Sequence, residues 1–491
     1  MAMIQANNLT FGYEGSSELV FDRVSFRLDS SWRLGLVGRN GRGKTTLFRL
    51  LCGELEYSGQ ISSPLEFEYF PYPVEPAGRL TCDLREELCP DAEEWQFRRE
   101  LGLLGVGDAS YYNYFELLSS GERTKVLLAA LFLRGRRFLL IDEPTNHLDR
   151  EARAAVSRYL AGKSGYIVIS HDRAFLDGCV DHIMSIDPAG IGISACTFTE
   201  YLRQKGMRDS AEAAENERLK KDIQRLEEAA ERTTRWSDRV EKSKMVKVAG
   251  LKPDKGYIGH KAAKMARRST AAQKRIQRAV EEKSQLLKNV ERSDPLKLHL
   301  QPYRGQVLVR AVGLGVAFGD RQLFSGLDFT IAPGERLAVS GRNGSGKSTL
   351  LRMVRGEEIP HTGELWVGNS ITISSVLQDT GHLWGSMDDY IAAHALDETL
   401  FKAILRKLDF SRELFEQPLE RYSGGPKKKV LLAHSLCTPA ALYVWDEPLN
   451  FVDIYSRMQI EELLLEYQPT LLFVEHDQAF AERIATRTLE L

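Results

Sequence analysis

The chain has 491 residues, 43% of them hydrophobic, and its 66 Lys and Arg against 68 Asp and Glu leave a formal net charge of −2 at pH 7. That length exceeds one hydrophobic core and calls for two or three globular domains. The opening MAMIQANNLTFGY has no basic stretch followed by an apolar one, and the longest purely apolar run, VLLAALFL at 126–133, is too short to cross a bilayer, which argues against secretion and membrane insertion. Six scattered cysteines (Cys52, Cys82, Cys89, Cys179, Cys196 and Cys437) include no C-x-x-C pair, so the sequence suggests neither a zinc site nor a disulfide framework and fits a reducing cytoplasm.

In chain order, the apolar run RLGLVG (33–38) leads into GRNGRGKTT (38–46). A second apolar run, RRFLLIDEP (136–144), closes in Asp142-Glu143, and a third, GYIVISHD (165–172), ends at His171. The same series returns later as RLAVSG, GRNGSGKST (341–349), ALYVWDEP (441–448) and LLFVEHD (471–477). The chain is a tandem duplication. Short continuous apolar runs alternating with helical stretches predict a parallel α/β sheet covered on both faces in each half.

Between the halves, residues 200–231 hold nine acids and seven bases, with Leu219, Ile223 and Leu226 at helical spacing, and 279–294 is similarly mixed. This predicts two antiparallel amphipathic helices joined near Gly250, Pro253 and Gly256. From 232 to 278 there are fifteen Lys and Arg against three acids, placing positive charge at the hairpin tip. The expected domains are therefore 1–199, a first nucleotide-binding unit; 200–299, a basic-tipped helical hairpin; and 300–491, a second nucleotide-binding unit.

The chemistry is carried by two phosphate-binding loops. Gly38, Asn40, Gly41, Gly43, Lys44, Thr45 and Thr46 form the first, and Gly341, Asn343, Gly344, Gly346, Lys347, Ser348 and Thr349 the second. Such glycines turn backbone N–H groups toward phosphates, the lysine reaches the β and γ phosphates, and the hydroxyl of Thr45 or Ser348 can ligate Mg²⁺. Asp142 and Asp446 are candidates to hold the metal, Glu143 and Glu447 to activate water, and His171 and His476 to contact the γ-phosphate. ATP and Mg²⁺ are the expected cofactors.

This pattern resembles the ATP-binding cassette (ABC) proteins over nearly the whole chain outside the hairpin. Their signature motif matches LSSGE (118–122) and YSGGP (422–426), and their D-loops match Asn146–Asp149 and Asn450–Asp453. The resemblance implies tandem ABC ATPase domains in one monomer, closing head to tail as an intramolecular dimer around two ATP molecules. Lys44, Glu143 and His171 would then act with Ser423, Gly424 and Gly425, and Lys347, Glu447 and His476 with Ser119, Ser120 and Gly121. Tyr13 and Phe318 match the aromatic that stacks on adenine, the alternative being core packing, and Gln378 matches the Q-loop glutamine as a further metal ligand. Ser120 and Pro426 depart from the usual signature, and the first half has FEYFPYPVE where a Q-loop glutamine is expected. Two unequal but competent sites, hydrolysing slowly, are anticipated.

Two cassettes joined by a long charged linker resemble the ABC-F subfamily, ATPases of the cytoplasm that work on ribosomes. The compact form has no arm inserted in the first cassette and ends soon after His476, and it is most similar to the Lsa-type antibiotic-resistance branch. Members of that branch relieve ribosomes of lincosamides, pleuromutilins and streptogramin A. The resemblance implies docking of the ATP-closed form at the E site of the bacterial 70S ribosome, with the linker passing P-site tRNA toward the peptidyl-transferase centre and 23S rRNA. Lys242, Lys244 and Lys247 would neutralise RNA phosphates. Met245, Val246 and Leu251 would pack against RNA or tRNA, or else close the hairpin as a small core. A housekeeping ABC-F translation factor and a tandem ATPase subunit of an importer are the alternatives.

Overall fold

The computed structural model describes residues 3–242 and 296–491, with residue 275, apart from 15–18, 75–77, 136, 147, 188–189, 320, 343, 370 and 409; for 229–242 it describes the backbone. Two compact units result: Met1–Tyr201 together with Ser293–Leu491, and Leu202–Arg292.

The first unit holds both halves of the duplication. In the first half the strands Phe67–Phe70, Phe138–Asp142, Tyr166–Ile169, Arg33–Val37 and His182–Asp187 lie in that order, all parallel, and Gly190–Ser194 closes one edge antiparallel. The second half repeats the order with Ile373–Val376, Leu442–Asp446, Leu471–Val474, Arg336–Ser340 and Arg487–Glu490, all parallel. Tyr166–Ile169 and Leu442–Asp446 are buried along their whole length, which is why they read as unbroken apolar runs. The strand leading into each phosphate loop lies inside the sheet, so the loop emerges from a carboxyl edge flanked by the ends of other strands.

Each half also carries an antiparallel sheet that the apolar runs did not announce. Phe21–Asp29, Met3–Phe11 and Ser58–Ser62 form the first, and Arg321–Ile331, Val309–Phe318 and Thr362–Val367 the second. Their burial alternates along the strand, a weaker sequence signal than a continuous run. In the first half, Ile4, Leu9 and Phe26 of this sheet share one core with Leu34 and Ile167 of the parallel sheet and with Phe48 of the helix after the phosphate loop.

The chain leaves the first half through one helix, Phe198–Lys242, of 45 residues, which at 1.5 Å per residue is about 68 Å long. Its start is anchored by buried Phe198 and Tyr201 and by Thr199, whose N–H donates to Asp177 at 2.9 Å. The helical reading of 200–231 was too short at its C-terminal end. The helix continues through Arg232, Arg235 and Arg239, because no Gly or Pro occurs between Met207 and Ala249 and charge alone does not break a helix. The returning helix, its junction near Gly250 and the tip residues Lys244, Met245, Val246, Lys247 and Leu251 lie outside the described residues, and Lys242 is the last residue of the described helix.

Candidate nucleotide sites

Both phosphate loops pass into helices, Lys44–Leu51 and Lys347–Val354, through a glycine in the left-handed region: Gly43 at φ 87° and Gly346 at φ 100°. A side chain there would also collide with the antiparallel sheet or the residue leading into it, since a Cβ on Gly43 would come within 2.5 Å of Val20 and 3.0 Å of Phe21, and one on Gly346 within 2.9 Å of Phe324. The lysines fold back onto their own loops. Lys44 Nζ donates to the carbonyls of Gly38 and Arg39 and to Asn40 Oδ1, at 2.7, 3.2 and 3.2 Å; Lys347 Nζ donates to the carbonyls of Gly341 and Arg342 at 2.7 and 2.9 Å. Burial lowers the pKa of both ammonium groups.

At the sheet edge, Thr45 Oγ1 donates to Asp142 Oδ2 at 3.0 Å, and at Asp446 burial raises the carboxylate's pKa against the Ser348 hydroxyl beside it, which lowers it. Asp446 Oδ1 is buried without a partner. A hydroxyl beside a carboxylate with spare acceptor capacity is a hard oxygen set that fits Mg²⁺ sharing its remaining positions with phosphate and water. Among the described residues no cluster of three or more His, Cys, Asp or Glu could hold a metal unaided. Bound there, Mg²⁺ would offset the charge of the phosphate oxygens.

Glu143 and Glu447 follow these aspartates with φ of 50° and 47°, an uncommon conformation for a non-glycine residue that occurs at the same place in both halves. The backbone holds it: Glu143 N–H donates to Ile169 O at 2.9 Å and Glu447 N–H to Val474 O at 3.0 Å. Each carboxylate then faces the histidine at the end of the neighbouring strand, His171 Nε2 at 3.2 Å from Glu143 Oε1 and His476 Nε2 at 3.1 Å from Glu447 Oε1.

There the two halves part. Glu447 also accepts from Gln378 Nε2 at 2.9 Å and from Asn450 Nδ2 at 2.6 Å. Behind it the buried Lys428 donates to Leu377 O at 2.7 Å and lies 3.4 Å from Asp446 O. Burial opposes its ionisation, yet His476, Lys428 and Gln378 together hold Glu447 below the usual carboxylate range. Glu143 receives neither amide, and its Oε1 is buried without a hydrogen bond. Burial, followed by the charge of Asp142, pushes Glu143 up to about 8. Burial and then Lys44 also hold His171 neutral, well below its ordinary value.

The second site opens into a cavity walled by both halves. Gly344, Gly346, Lys347, Ser348, Thr349, Gln378, Glu447 and His476 face Ser119, Ser120, Gly121 and Asp149 across it. Ser119 caps the signature helix Ser120–Leu131 in a reciprocal box with Glu122. Gly341 lines an adjoining cavity with Lys347 and His476. Asn40 Nδ2 donates to Phe451 O at 3.1 Å across the cassette boundary, and that oxygen would lie 2.9 Å from a Cβ on Gly425. Gly424 rests on the Phe451 ring, and Ser423 starts the helix Gly424–Cys437 without side-chain capping. Gly41, at φ 83°, has open space beside it. Of the aromatic candidates, Tyr13 is 45% exposed with its hydroxyl 2.9 Å from Thr46 Oγ1, and Phe318 is 53% exposed at its strand end, so neither is a core residue. The second cavity is lined by Arg321 rather than Phe318. Asn343 lies outside the described residues.

Several contributors were not singled out from the sequence. Arg153 pairs with Asp172 at 3.1 Å and Arg457 with Asp477 at 3.0 Å, tying each D-loop helix to the helix after the histidine. Fully buried Glu461 of the second half accepts from Arg173 of the first at 2.6 Å and from Arg483 at 2.8 Å. The first pair was within reach of the sequence, because Arg153 and Arg457 sit four residues after the D-loop aspartates of the repeat.

Comparison with known proteins agrees with this geometry. A family model described as ABC transporter matches residues 21–146 and 324–450. The ribosome protection protein VmlR of Bacillus subtilis is 28% identical over 485 residues, covering 97% of this chain and 85% of its own. The energy-dependent translational throttle protein EttA of Escherichia coli K12 is 26% identical over 525 residues, covering 96% and 89%. Among solved structures, the archaeal ribosome recycling factor aABCE1, in complex with the stalk protein aP1, superposes with a TM-score of 0.64 at 18% identity, covering 98% of this chain and 87% of that one, a likeness of fold. No described helix is long and apolar enough to cross a membrane. The chain belongs to the ABC transporter family, as a tandem-cassette ATP hydrolase.

Proposed function

We propose that this ATPase acts on the bacterial 70S ribosome as a protection factor against lincosamides, pleuromutilins and streptogramin A. The observation that carries the reading is one compact unit whose second nucleotide cavity is walled by both cassettes, from which a single 45-residue helix runs into the basic segment. The similarity to VmlR along 97% of the chain supports the ribosome as target.

In the proposed cycle, Lys44 and Lys347 leave their loop carbonyls for the β and γ phosphates. The facing signature residues then close on the same nucleotide. Closure favours docking at the E site, and the linker reaches past P-site tRNA toward the peptidyl-transferase centre, where its basic residues neutralise RNA phosphate and displace bound drug. Glu447 accepts a proton from the attacking water, His476 orients that carboxylate, and Glu143 and His171 do the same in the first site. Phosphate release reopens the cassettes.

A panel of minimum inhibitory concentrations in a susceptible bacterium tests this. Expression of the chain raises the values for the three drug classes, and shortening 245–251 abolishes the rise while leaving ATP hydrolysis intact. Absence of protection by the intact chain contradicts the reading. The EttA similarity favours one second reading, a housekeeping translation factor; growth effects without drug protection support it.

A further inference from the structure

The first half lacks a glutamine where the second has Gln378, and strand register identifies what stands there. Phe70 pairs with Ile141 just as Val376 pairs with Trp445, so Tyr72 occupies the place of Gln378 and Tyr69 that of Ser375. Tyr72 is turned away from the site. Its hydroxyl donates to Leu127 O at 2.8 Å, and Arg134 lies over its ring at 3.8 Å. Tyr69 faces the site instead, donating to Asp142 Oδ2 at 3.1 Å, the oxygen that also accepts from Thr45. Its ring stands edge-on to Phe48 of the phosphate-loop helix, with centroids 6.2 Å apart, so the hydroxyl is carried on a packed support. Ser375 is too short to make the equivalent reach, and Asp446 Oδ1 is left without a partner.

We propose that Tyr69 is a positioning residue of the first site, its hydroxyl fixing the Asp142 carboxylate for the metal, a contact without a counterpart at Asp446 in the second site, where the Gln378 amide donates to Glu447 instead. This rests on Asp142 being the metal-holding carboxylate. With Oδ2 occupied by two donors on the protein side, the carboxylate cannot rotate away from the metal position without losing a hydrogen bond to a charged acceptor. The two sites are thus braced at different carboxylates, the first at Asp142 from the strand and the second at Glu447 from the loop after it.

The test uses the full chain carrying Lys347→Ala, so that nucleotide is read at the first site. Mn²⁺ binding in the presence of ATP is followed by electron paramagnetic resonance, and metal-free nucleotide binding by a fluorescent ATP analogue. Tyr69→Phe keeps the ring and removes the hydroxyl. It should raise the Mn²⁺ concentration for half-saturation by about ten- to hundredfold, the usual cost of removing a hydrogen bond that orients a metal ligand, with metal-free nucleotide affinity unchanged. Unchanged Mn²⁺ binding overturns the proposal, as does an equal loss of metal-free nucleotide binding, which would make Tyr69 a packing residue. Asp142→Asn separates the two claims: if it weakens Mn²⁺ binding while Tyr69→Phe does not, only Tyr69 is misassigned; if neither does, the assignment of Asp142 falls as well.

Discussion

The two nucleotide sites carry the same lysine, aspartate, glutamate and histidine on the same strand ends, yet their glutamates stand in opposite electrostatic states. Glu447 has three hydrogen-bond donors and Lys428 behind it and is held ionised, whereas Glu143 keeps one buried oxygen without a hydrogen bond and is pushed up to about 8. Two of the residues that make this difference, Gln378 and Lys428, have no counterpart in the first half, and the shared Asn450 donates to Glu447. At the place of Lys428 on its signature helix the first half has Thr124, which donates to Ser120 O of its own helix at 2.9 Å. A motif places the reacting group; its neighbours decide the protonation state in which it waits.

The largest expected effect comes from removing each glutamate in turn. Glu447→Gln should lower steady-state ATP hydrolysis by about 100-fold, the ordinary worth of a positioned general base, and Glu143→Gln by less than about fivefold. Equal losses in the two variants would break the comparison. The pH dependence sharpens it. With Glu447→Gln in place, remaining hydrolysis depends on Glu143, whose ionised share grows as pH rises through its raised pKa of about 8, so the rate should climb about tenfold between pH 7 and 9. With Glu143→Gln instead, the rate should be flat over that interval, because Glu447 is already ionised below it. A smaller effect is expected from the cation. Lys428→Met leaves Leu377 O and Glu447 without their positive neighbour and should lower hydrolysis about fivefold, whereas Thr124→Val should change it less than about twofold. Identical behaviour of these two variants would show that Lys428 only packs.

The duplication made much of this legible. Phosphate loops, Asp-Glu pairs and terminal histidines recur at matching intervals, and each falls where a parallel strand ends, because those strands are short continuous apolar runs. Tyr69, Lys428 and Glu461 were not legible, since each acts on a group far away in the chain through a contact that only the sheet order creates. Aligning the halves position by position would have flagged Thr124 against Lys428 and Tyr69 against Ser375, but not what either touches. The positive φ of Glu143 and Glu447 was equally hidden, because it arises from hydrogen bonds to the neighbouring strands at Ile169 and Val474. The end of the first linker helix was hidden for a different reason: its apolar spacing marks 200–231, although a segment without Gly or Pro simply runs on to Lys242.

The account turns on ATP closure being what commits the chain to the ribosome. The most direct measurement is co-sedimentation of the Glu143→Gln, Glu447→Gln double variant with bacterial 70S particles at low ionic strength, with and without ATP. The account predicts that the variant pellets with ribosomes when ATP is present and stays in the supernatant without it. A double variant that remains free of ribosomes in ATP would contradict it.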